Sequence, residues 1–141
     1  KTTQPDILLM DIDLGEAETG IDLVRQFNAV DHVFSEDTSW PFANEVSVIS
    51  TPGHTPGHIS LYLPESKTLI ADDAFVIENG EFEIANPRFT LDLPQAVASV
   101  ERLSHLEIAS VICNHGGVIE GEISPKFDRL LARYAKPMTE K

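Results

Sequence analysis

Apolar and polar positions at the start of the chain predict a strand, a loop and a helix. Residues Ile7 to Ile12 form an apolar run broken only by Asp11, which is typical of a buried strand. An acidic loop follows, and apolar residues at positions 21, 23, 24 and 27 then have helical spacing. The mixed, polar stretch 28–44 predicts a linker or an irregular segment.

The pattern changes after Glu45, where short strands and two helices are predicted. Residues 64–67 and Asn79–Gly80 signal tight turns, and the first of them closes a hairpin. The predicted strands are Val46 to Ile49, Ile59 to Leu63, Thr68 to Ala71 and Ala109 to Cys113. The predicted helices have apolar periods at 96–106, with Pro94 in the first turn, and at 127–134, with Ser124 as the N-cap.

Length and charge narrow the classes of function. The chain has 141 residues, which is enough for one domain with a real core. It carries 23 acidic and 10 basic residues, a formal net charge of -13, so it repels phosphate backbones and no nucleic acid partner is expected. No apolar run approaches the roughly 18 residues of a membrane span, so no membrane partner is expected either.

The cysteine count and the first residues bear on the compartment. Cys113 is the single cysteine, so no internal disulfide can form, and its apolar surroundings in the sequence predict a buried small hydrophobe. Residues 1–6 lack a hydrophobic signal core, and we therefore expect a cytoplasmic, reducing compartment. Position 1 is not Met, which suggests a fragment or a processed chain.

Residues 51–58 have the repeated sequence Thr-Pro-Gly-His-Thr-Pro-Gly-His, and the first copy directly follows an apolar run. Pro52 and Pro56 reduce the entropy lost when the loop is held in one shape. Gly53 and Gly57 permit backbone angles and close approaches that other side chains forbid. A rigid loop of this kind suits a metal site better than a packing element.

Three residues that follow predicted strands are candidate metal ligands. Strand ends that converge on one rim of a sheet can place their side chains close together. Imidazole nitrogen and carboxylate oxygen are ligands that zinc accepts at about 2.0–2.2 Å. Two histidines and one carboxylate would leave a fourth position open for water. We therefore predict a metal site formed by His54, Asp73 and His115.

Other roles are open for these residues and their neighbours. Asp73 could be a turn or cap residue, and the adjacent Asp72 is a second carboxylate that could compete as the ligand. His115 could simply end a strand. His58 directly precedes a predicted strand, and we expect it to have a structural role by bracing the loop through hydrogen bonds.

Residues 31–138 resemble the C-terminal half of a metallo-β-lactamase-fold hydrolase. The stretches that carry the resemblance are Thr51–His58, Leu69–Phe75 and Val111–Gly117. The resemblance implies an αββα sandwich, usually two metal ions, most often zinc, and hydrolysis of an ester, thioester, lactone, amide or phosphoester. It places His54 on one ion, His115 on the other and Asp73 as the bridge between them.

The sequence departs from this family in two places. The family pattern has Gly at the position of Asp72, and its His-x-His-x-Asp-His motif, which supplies the remaining ligands, is absent here. Because missing ligands weaken metal affinity, we expect weak or single-ion zinc binding. The expected function is a metal-dependent hydrolase of an unknown small molecule, in an incomplete or chimeric form with a partial metal site.

Residues 5–27 resemble a second family, the receiver domain of response regulators. The stretches Pro5–Gly15 and Thr19–Arg25 carry this resemblance, which makes Asp11 the phospho-acceptor. No acidic pair for Mg²⁺ can be placed, so phosphoryl transfer should be very slow, and Asp11 could merely end a strand. Two alternative functions follow: a phosphorelay receiver-like signalling or binding module, and an inactive chimera.

The two resemblances define the expected fold. It is an α/β (α+β) fold, half of a metallo-β-lactamase-type αββα sandwich with an added N-terminal strand–helix unit. Residues 1–30 would form the receiver-like segment and residues 31–141 the metallo-β-lactamase-like half, packed together as one domain. A half-sandwich has an apolar sheet face to bury, and a second copy could cover it, so a homodimer is a further hypothesis.

Overall fold

A computed structural model of the chain describes residues 38–40 and 46–135. All of them belong to the second of the two units into which the chain divides, after Val33. The predicted strand–helix unit of residues 1–30, with Asp11, lies outside the described residues.

The described residues form a mixed α/β fold, which confirms the predicted class. Eight strands are present in this part of the chain: β1 (Thr38–Trp40), β2 (Val46–Ser50), β3 (Ile59–Leu63), β4 (Thr68–Asp72), β5 (Val76–Glu78), β6 (Glu81–Glu83), β7 (Ser110–Cys113) and β8 (Gly117–Glu120). Its helices are α1 (Leu93–Ser104) and α2 (Ile123–Tyr134). Neither described helix is long and apolar enough to cross a membrane.

Strand direction places three strand ends at one edge of the main sheet, whose order is β1-β2-β3-β4-β7-β8. β1 to β4 pair antiparallel in succession, β4 pairs parallel with β7, and β7 pairs antiparallel with β8. β2, β4 and β7 therefore run in the same direction and end at the same edge, which we call the site edge. A parallel pair needs a crossover connection, and here it contains the separate β5–β6 hairpin and α1.

Side chains alternate between the two faces of the sheet, as the period of a strand requires. On one face, Leu69 and Val111 are fully buried in the main core together with residues of α1 and α2. On the other face, cross-strand neighbours form an apolar row: Val48, Leu61, Ile70, Ile112 and Val118. Exposure in this row rises from 4% at Val48 to 37% at Ile112 and 59% at Val118. Among the described residues, helices cover one face of this sheet, and this arrangement corresponds to half of an αββα sandwich.

Three phenylalanines form an aromatic cluster in the main core. Phe75, Phe82 and Phe127 are each at most 1% exposed. Their ring centroids are 4.7, 5.0 and 5.3 Å apart, in the tilted and edge-on arrangements that aromatic rings favour. The cluster ties the chain that leaves β4 to β6 and to α2, so it supports the site edge from within the core.

The β5–β6 hairpin turns at Asn79–Gly80, as predicted. Both residues have positive φ, 52° and 77°, which a two-residue type I′ turn requires. Glu81 accepts hydrogen bonds of 2.9 and 3.0 Å from Arg129 and lies 3.4 Å from Lys126, and both bases are on α2. The hydrogen bonds from Arg129 hold the pKa of Glu81 below its usual range. The hairpin is therefore fastened to α2.

Two local predictions are wrong. β1 lies inside the stretch 28–44 that was predicted to be irregular; it has three residues, too few to leave a periodic signal. α2 begins at Ile123, before the predicted N-cap Ser124, and Glu122 precedes it with φ 37° and no side-chain capping bond. The helix therefore begins after a backbone turn at Gly121 and Glu122, without a serine cap.

Replacing Phe127 by Ala should lower the free energy of unfolding by about 3–5 kcal/mol, because it removes a buried ring and leaves a cavity. Phe89, which is 69% exposed, is the matched control. Phe89→Ala should change the free energy of unfolding by no more than about 0.5 kcal/mol. Urea denaturation followed by circular dichroism measures both, and equal losses would contradict the core position of Phe127.

Candidate metal centre

Asp73 lies between the two histidines that were predicted to share its site. Its Oδ2 is 3.8 Å from Nε2 of His54, and its Oδ1 is 3.7 Å from Nε2 of His115. The side chain of Asp73 is 6% exposed, that of His54 16% and that of His115 72%. The structure brings the three predicted residues together, with a different carboxylate oxygen facing each imidazole.

The donor atoms suit a metal ion. With bonds of about 2.0–2.2 Å, ligand atoms in a tetrahedral zinc site lie about 3.4 Å apart. The distances from Asp73 are a few tenths of an ångström longer, and in this structure no group of three or more His, Cys, Asp or Glu among the described residues is arranged to hold a metal ion. In the same part of the chain, the buried side-chain polar atoms without a hydrogen-bond partner are Nδ1 of His54 and Oδ1 of Asp73. An ion at the carboxylate would satisfy Oδ1.

Asp73 and His115 meet because β4 and β7 are parallel neighbours. Asp72 pairs with Cys113 across a β-bulge, and the Asn114 amide donates to the Asp72 carbonyl at 3.3 Å. The two candidate ligands directly follow these contacts at the site edge. Bulges commonly redirect side chains beside functional sites, and this one lies where the carboxylate turns towards the histidines.

Hydrogen bonds to backbone carbonyls hold the loop that presents His54. The carbonyls accept from residues 91–102, which include most of α1. The pairs are Asp92 N–H to Gly53 O at 2.9 Å, Leu91 N–H to His54 O at 3.3 Å, the Ser99 hydroxyl to Pro52 O at 2.7 Å, and the Arg102 guanidinium to Ser50 O. Because the bonds involve backbone atoms, the His54 ring is left to face Asp73.

Gly53 lets α1 approach this loop closely. Its φ is +140°, and a Cβ at this position would lie 2.2 Å from the backbone nitrogen of Ala96. Only a hydrogen atom fits in that space. The first glycine of the repeated motif is therefore required by packing of the loop on the helix.

The backbone of His115 is held by β5. The Ile77 amide donates a hydrogen bond of 3.0 Å to the His115 carbonyl. Gly116 follows with φ +101°, and a Cβ there would lie 2.1 Å from the carbonyl oxygen of Ile77. The glycine after His115 therefore lets β5 pass against this turn, while the His115 side chain points into solvent beside Asp73.

Asp72 has a different environment from Asp73. Its φ is 53°, in the left-handed region where glycine costs least and aspartate is tolerated. This backbone conformation favours glycine, which is the residue that the resemblance implies at this position. The Asp72 side chain is 43% exposed, and its Oδ2 lies 3.5 Å from Nε2 of His58. Asp73, and not Asp72, occupies the position between the two candidate histidines.

His58 is buried and makes hydrogen bonds through both ring nitrogens. Its Nδ1 lies 2.8 Å from Oγ1 of Thr51, and its Nε2 accepts from the Asp73 amide at 3.2 Å. The contact to Thr51 lies within the loop, whereas the contact to Asp73 reaches the end of another strand. The second contact was not expected from the sequence, because it joins residues whose spatial relation depends on strand pairing.

Ser99 is a supporting residue that was not predicted from the sequence. It is 4% exposed and donates to the loop that carries His54. A signal was present in the sequence, since Ser99 stands in the apolar stripe of α1 between Ala96 and Val100. A polar side chain at such a position needs a buried partner.

Cys113 is 4% exposed, as expected for a small core hydrophobe. Burial, together with the negative charges of Asp73 and Asp72, raises the pKa of its thiol to about 12. The thiol is therefore neutral at physiological pH, and it packs in the main core below the site edge.

Comparison with known proteins finds metallo-hydrolases among the relatives of this chain. No family model matches the sequence. The chain is 36% identical over 98 residues to the probable metallo-hydrolase YflN of Bacillus subtilis, an alignment that covers 62% of this chain and 37% of the relative. The chain spans only about a third of the length of the curated relatives it matches.

Solved structures give the same result for the fold. A metallo-β-lactamase family protein of Thermus thermophilus superposes with a TM-score of 0.57 and 26% identity, covering 72% of this chain and 34% of that protein. A second protein, solved in a di-iron-bound form, superposes with a TM-score of 0.51 and 25% identity, covering 63% and 42%. The described residues therefore form a fragment of the metallo-β-lactamase sandwich, and the homologues of the chain are metallo-hydrolases and metallo-β-lactamase-fold proteins.

Gly53→Ala should lower the free energy of unfolding by about 2–4 kcal/mol, because it adds a clash with Ala96 to the strain of a positive φ. Gly80 is the matched control, since its φ is +77° and a Cβ there meets no atom within 4 Å. Gly80→Ala should cost only the backbone strain, about 1–2 kcal/mol. Urea denaturation compares the two variants, and equal costs would show that α1 does not press on the loop.

Proposed function

We propose that this chain carries part of the metal centre of a metallo-β-lactamase-type hydrolase, with His54, Asp73 and His115 as ligands. The observation that supports it best is the Asp73 carboxylate, which turns one oxygen to each imidazole. A carboxylate that served only as a turn or cap residue would hydrogen bond to nearby amides. Asp73 Oδ1 instead has no hydrogen-bond partner among the described residues.

The arrangement supports a division of roles among the three residues. His54 would hold one ion, His115 would hold the other, and Asp73 would bridge them, because its two oxygens face different histidines. A metal ion bound here would supply Lewis acidity and lower the pKa of a bound water to about 7. Asp73 is buried and fixes the inner side of the site, whereas the exposed His115 lines the side open to solvent, from which a substrate would enter.

The substrate is proposed to be a small molecule with a hydrolysable ester, thioester, lactone, amide or phosphoester bond. The chain supplies three candidate ligands and lacks the His-x-His-x-Asp-His motif. We therefore expect weak or single-ion binding by this chain alone. Catalysis would require the missing ligands to complete and orient the site.

Zinc is the proposed metal, because two imidazoles and a carboxylate form a common zinc ligand set. Iron is the alternative, supported by the related protein solved in a di-iron-bound form. The remaining expectations from the sequence stay predictions: the homodimer, the cytoplasmic location, the chimeric origin and the receiver-like role of Asp11.

Zinc titration of the metal-free protein tests the proposal. The double variant His54→Ala, His115→Ala should bind zinc at least about 100-fold more weakly than the unaltered protein, since it loses two direct ligands, whereas loss of an outer-shell partner typically costs 10–100-fold. His105→Ala is the matched control, because His105 is an exposed histidine at the end of α1 and should leave the affinity unchanged.

Isothermal titration calorimetry, with competition by a chelator of known affinity, measures the three dissociation constants. If the double variant binds zinc as tightly as the unaltered protein, these histidines are not the ligands. Repeating the titration with Fe²⁺ under anaerobic conditions compares zinc with iron at the same site.

A further inference from the structure

A buried hydrogen-bond chain connects Asp73 to three strands of the main sheet. The Asp73 amide donates to Nε2 of His58 at 3.2 Å, and Nδ1 of His58 lies 2.8 Å from Oγ1 of Thr51. Oγ1 of Thr51 lies 2.9 Å from Oγ of Ser60, which donates to the Ala71 carbonyl at 3.2 Å. Every side chain in it is nearly inaccessible: Thr51 and Ser60 are 1% exposed and His58 7%.

The chemistry of the two ends fixes the direction of every bond. A backbone amide can only donate, so Nε2 of His58 must be the unprotonated nitrogen. A neutral imidazole then carries its proton on Nδ1 and donates it to Thr51. Thr51 in turn donates to Ser60, which donates to the carbonyl of Ala71. The chain has one polarity throughout and leaves no buried hydroxyl hydrogen unpaired.

The hydrogen-bond chain ends in the backbone carbonyl of Ala71, so it offers no route for a proton to solvent. Its effect is mechanical, because it ties the end of β2, the start of β3 and the end of β4 to one another. The last tie is made at the amide of Asp73, one bond from the Cα that carries the proposed bridging carboxylate. Hydrogen-bonded networks of this kind hold a unique geometry when every member is satisfied.

We infer that His58 is a positioning residue for the metal centre, which orients Asp73 through its backbone amide while Thr51 and Ser60 fix the His58 ring. This inference rests on the proposed function in one respect, that Asp73 is a metal ligand. His58 itself does not ligate, because Nε2 is occupied by the Asp73 amide and Nδ1 by Thr51. The same tautomer offers no proton to Asp72, whose Oδ2 is 3.5 Å away.

A metal-free NMR experiment tests the geometry. In the unaltered protein, the ¹⁵N shifts of His58 should show the Nδ1–H tautomer, and a scalar coupling should connect Nε2 with the Asp73 amide nitrogen. Thr51→Val keeps the shape of the side chain but removes the acceptor. It should shift His58 towards the Nε2–H tautomer, abolish the coupling and increase exchange of the Asp73 amide about tenfold relative to that of Ala74. Thr51→Ser, which keeps the hydroxyl, should restore all three.

Zinc affinity tests the consequence for the site. His58→Phe keeps a buried ring without nitrogen, and it should weaken zinc binding 10–100-fold, as expected for loss of an outer-shell partner. His58→Gln keeps an acceptor for the Asp73 amide and should recover most of the affinity. His105→Phe, at an exposed histidine, is the matched control and should leave the affinity unchanged. If His58→Phe fails to fold, Thr51→Val takes its place and should weaken zinc binding by the same 10–100-fold.

The two experiments separate the inference from the proposed function. An Nε2–H tautomer in the unaltered protein, or an Asp73 amide that is indifferent to Thr51→Val, overturns the inference. So does zinc binding that neither Thr51→Val nor His58→Phe weakens. If the unaltered protein binds no zinc, the proposed function fails, but the inference can still be tested by the χ1 rotamer of Asp73. A single χ1 rotamer in the unaltered protein and several in Thr51→Val would support the inference. The same rotamers in both proteins would refute the inference.

Discussion

Parallel pairing between β4 and β7 gathers the candidate ligands at one edge of the sheet. If β7 ran the other way, His115 would follow its far end, about 13 Å from Asp73 for a strand of four residues. The antiparallel succession from β2 to β4 brings His54 to the same edge, because two reversals restore the direction of the chain. The site is therefore a consequence of sheet topology, and only its final adjustment depends on loops.

Each candidate ligand is held at its backbone by a different part of the fold. The loop of His54 is bonded to the segment that begins α1, Asp73 receives its support from His58, and the His115 carbonyl is bonded to Ile77 in β5. None of these supports uses a ring nitrogen of His54 or His115 or a carboxylate oxygen of Asp73. A site whose residues are held at their backbones keeps its donor atoms available for a ligand. Such a preorganised centre needs little reorganisation when the ligand binds.

The sequence allowed a good part of this arrangement to be anticipated. Apolar runs that precede His54, Asp73 and His115 marked strand ends, and the repeated Pro-Gly pairs marked a rigid loop. The bond from His58 to Asp73 could not be anticipated, because it depends on the register of β3 against β4. β1 was missed because three residues carry no period, and Asp11 belongs to a part of the chain that the structure does not describe. Only the buried Ser99 left a local signal that could have been used.

The apolar row from Val48 to Val118 bears on the tendency of this protein to self-associate. Its last members lie on β7 and β8, and within the described residues β8 has no neighbour on its outer side. A strand edge with open amides and carbonyls beside uncovered aliphatic side chains is a template for aggregation. We therefore expect this corner of the sheet to favour self-association in concentrated samples, and Val118→Lys to oppose it without contacting the candidate ligands.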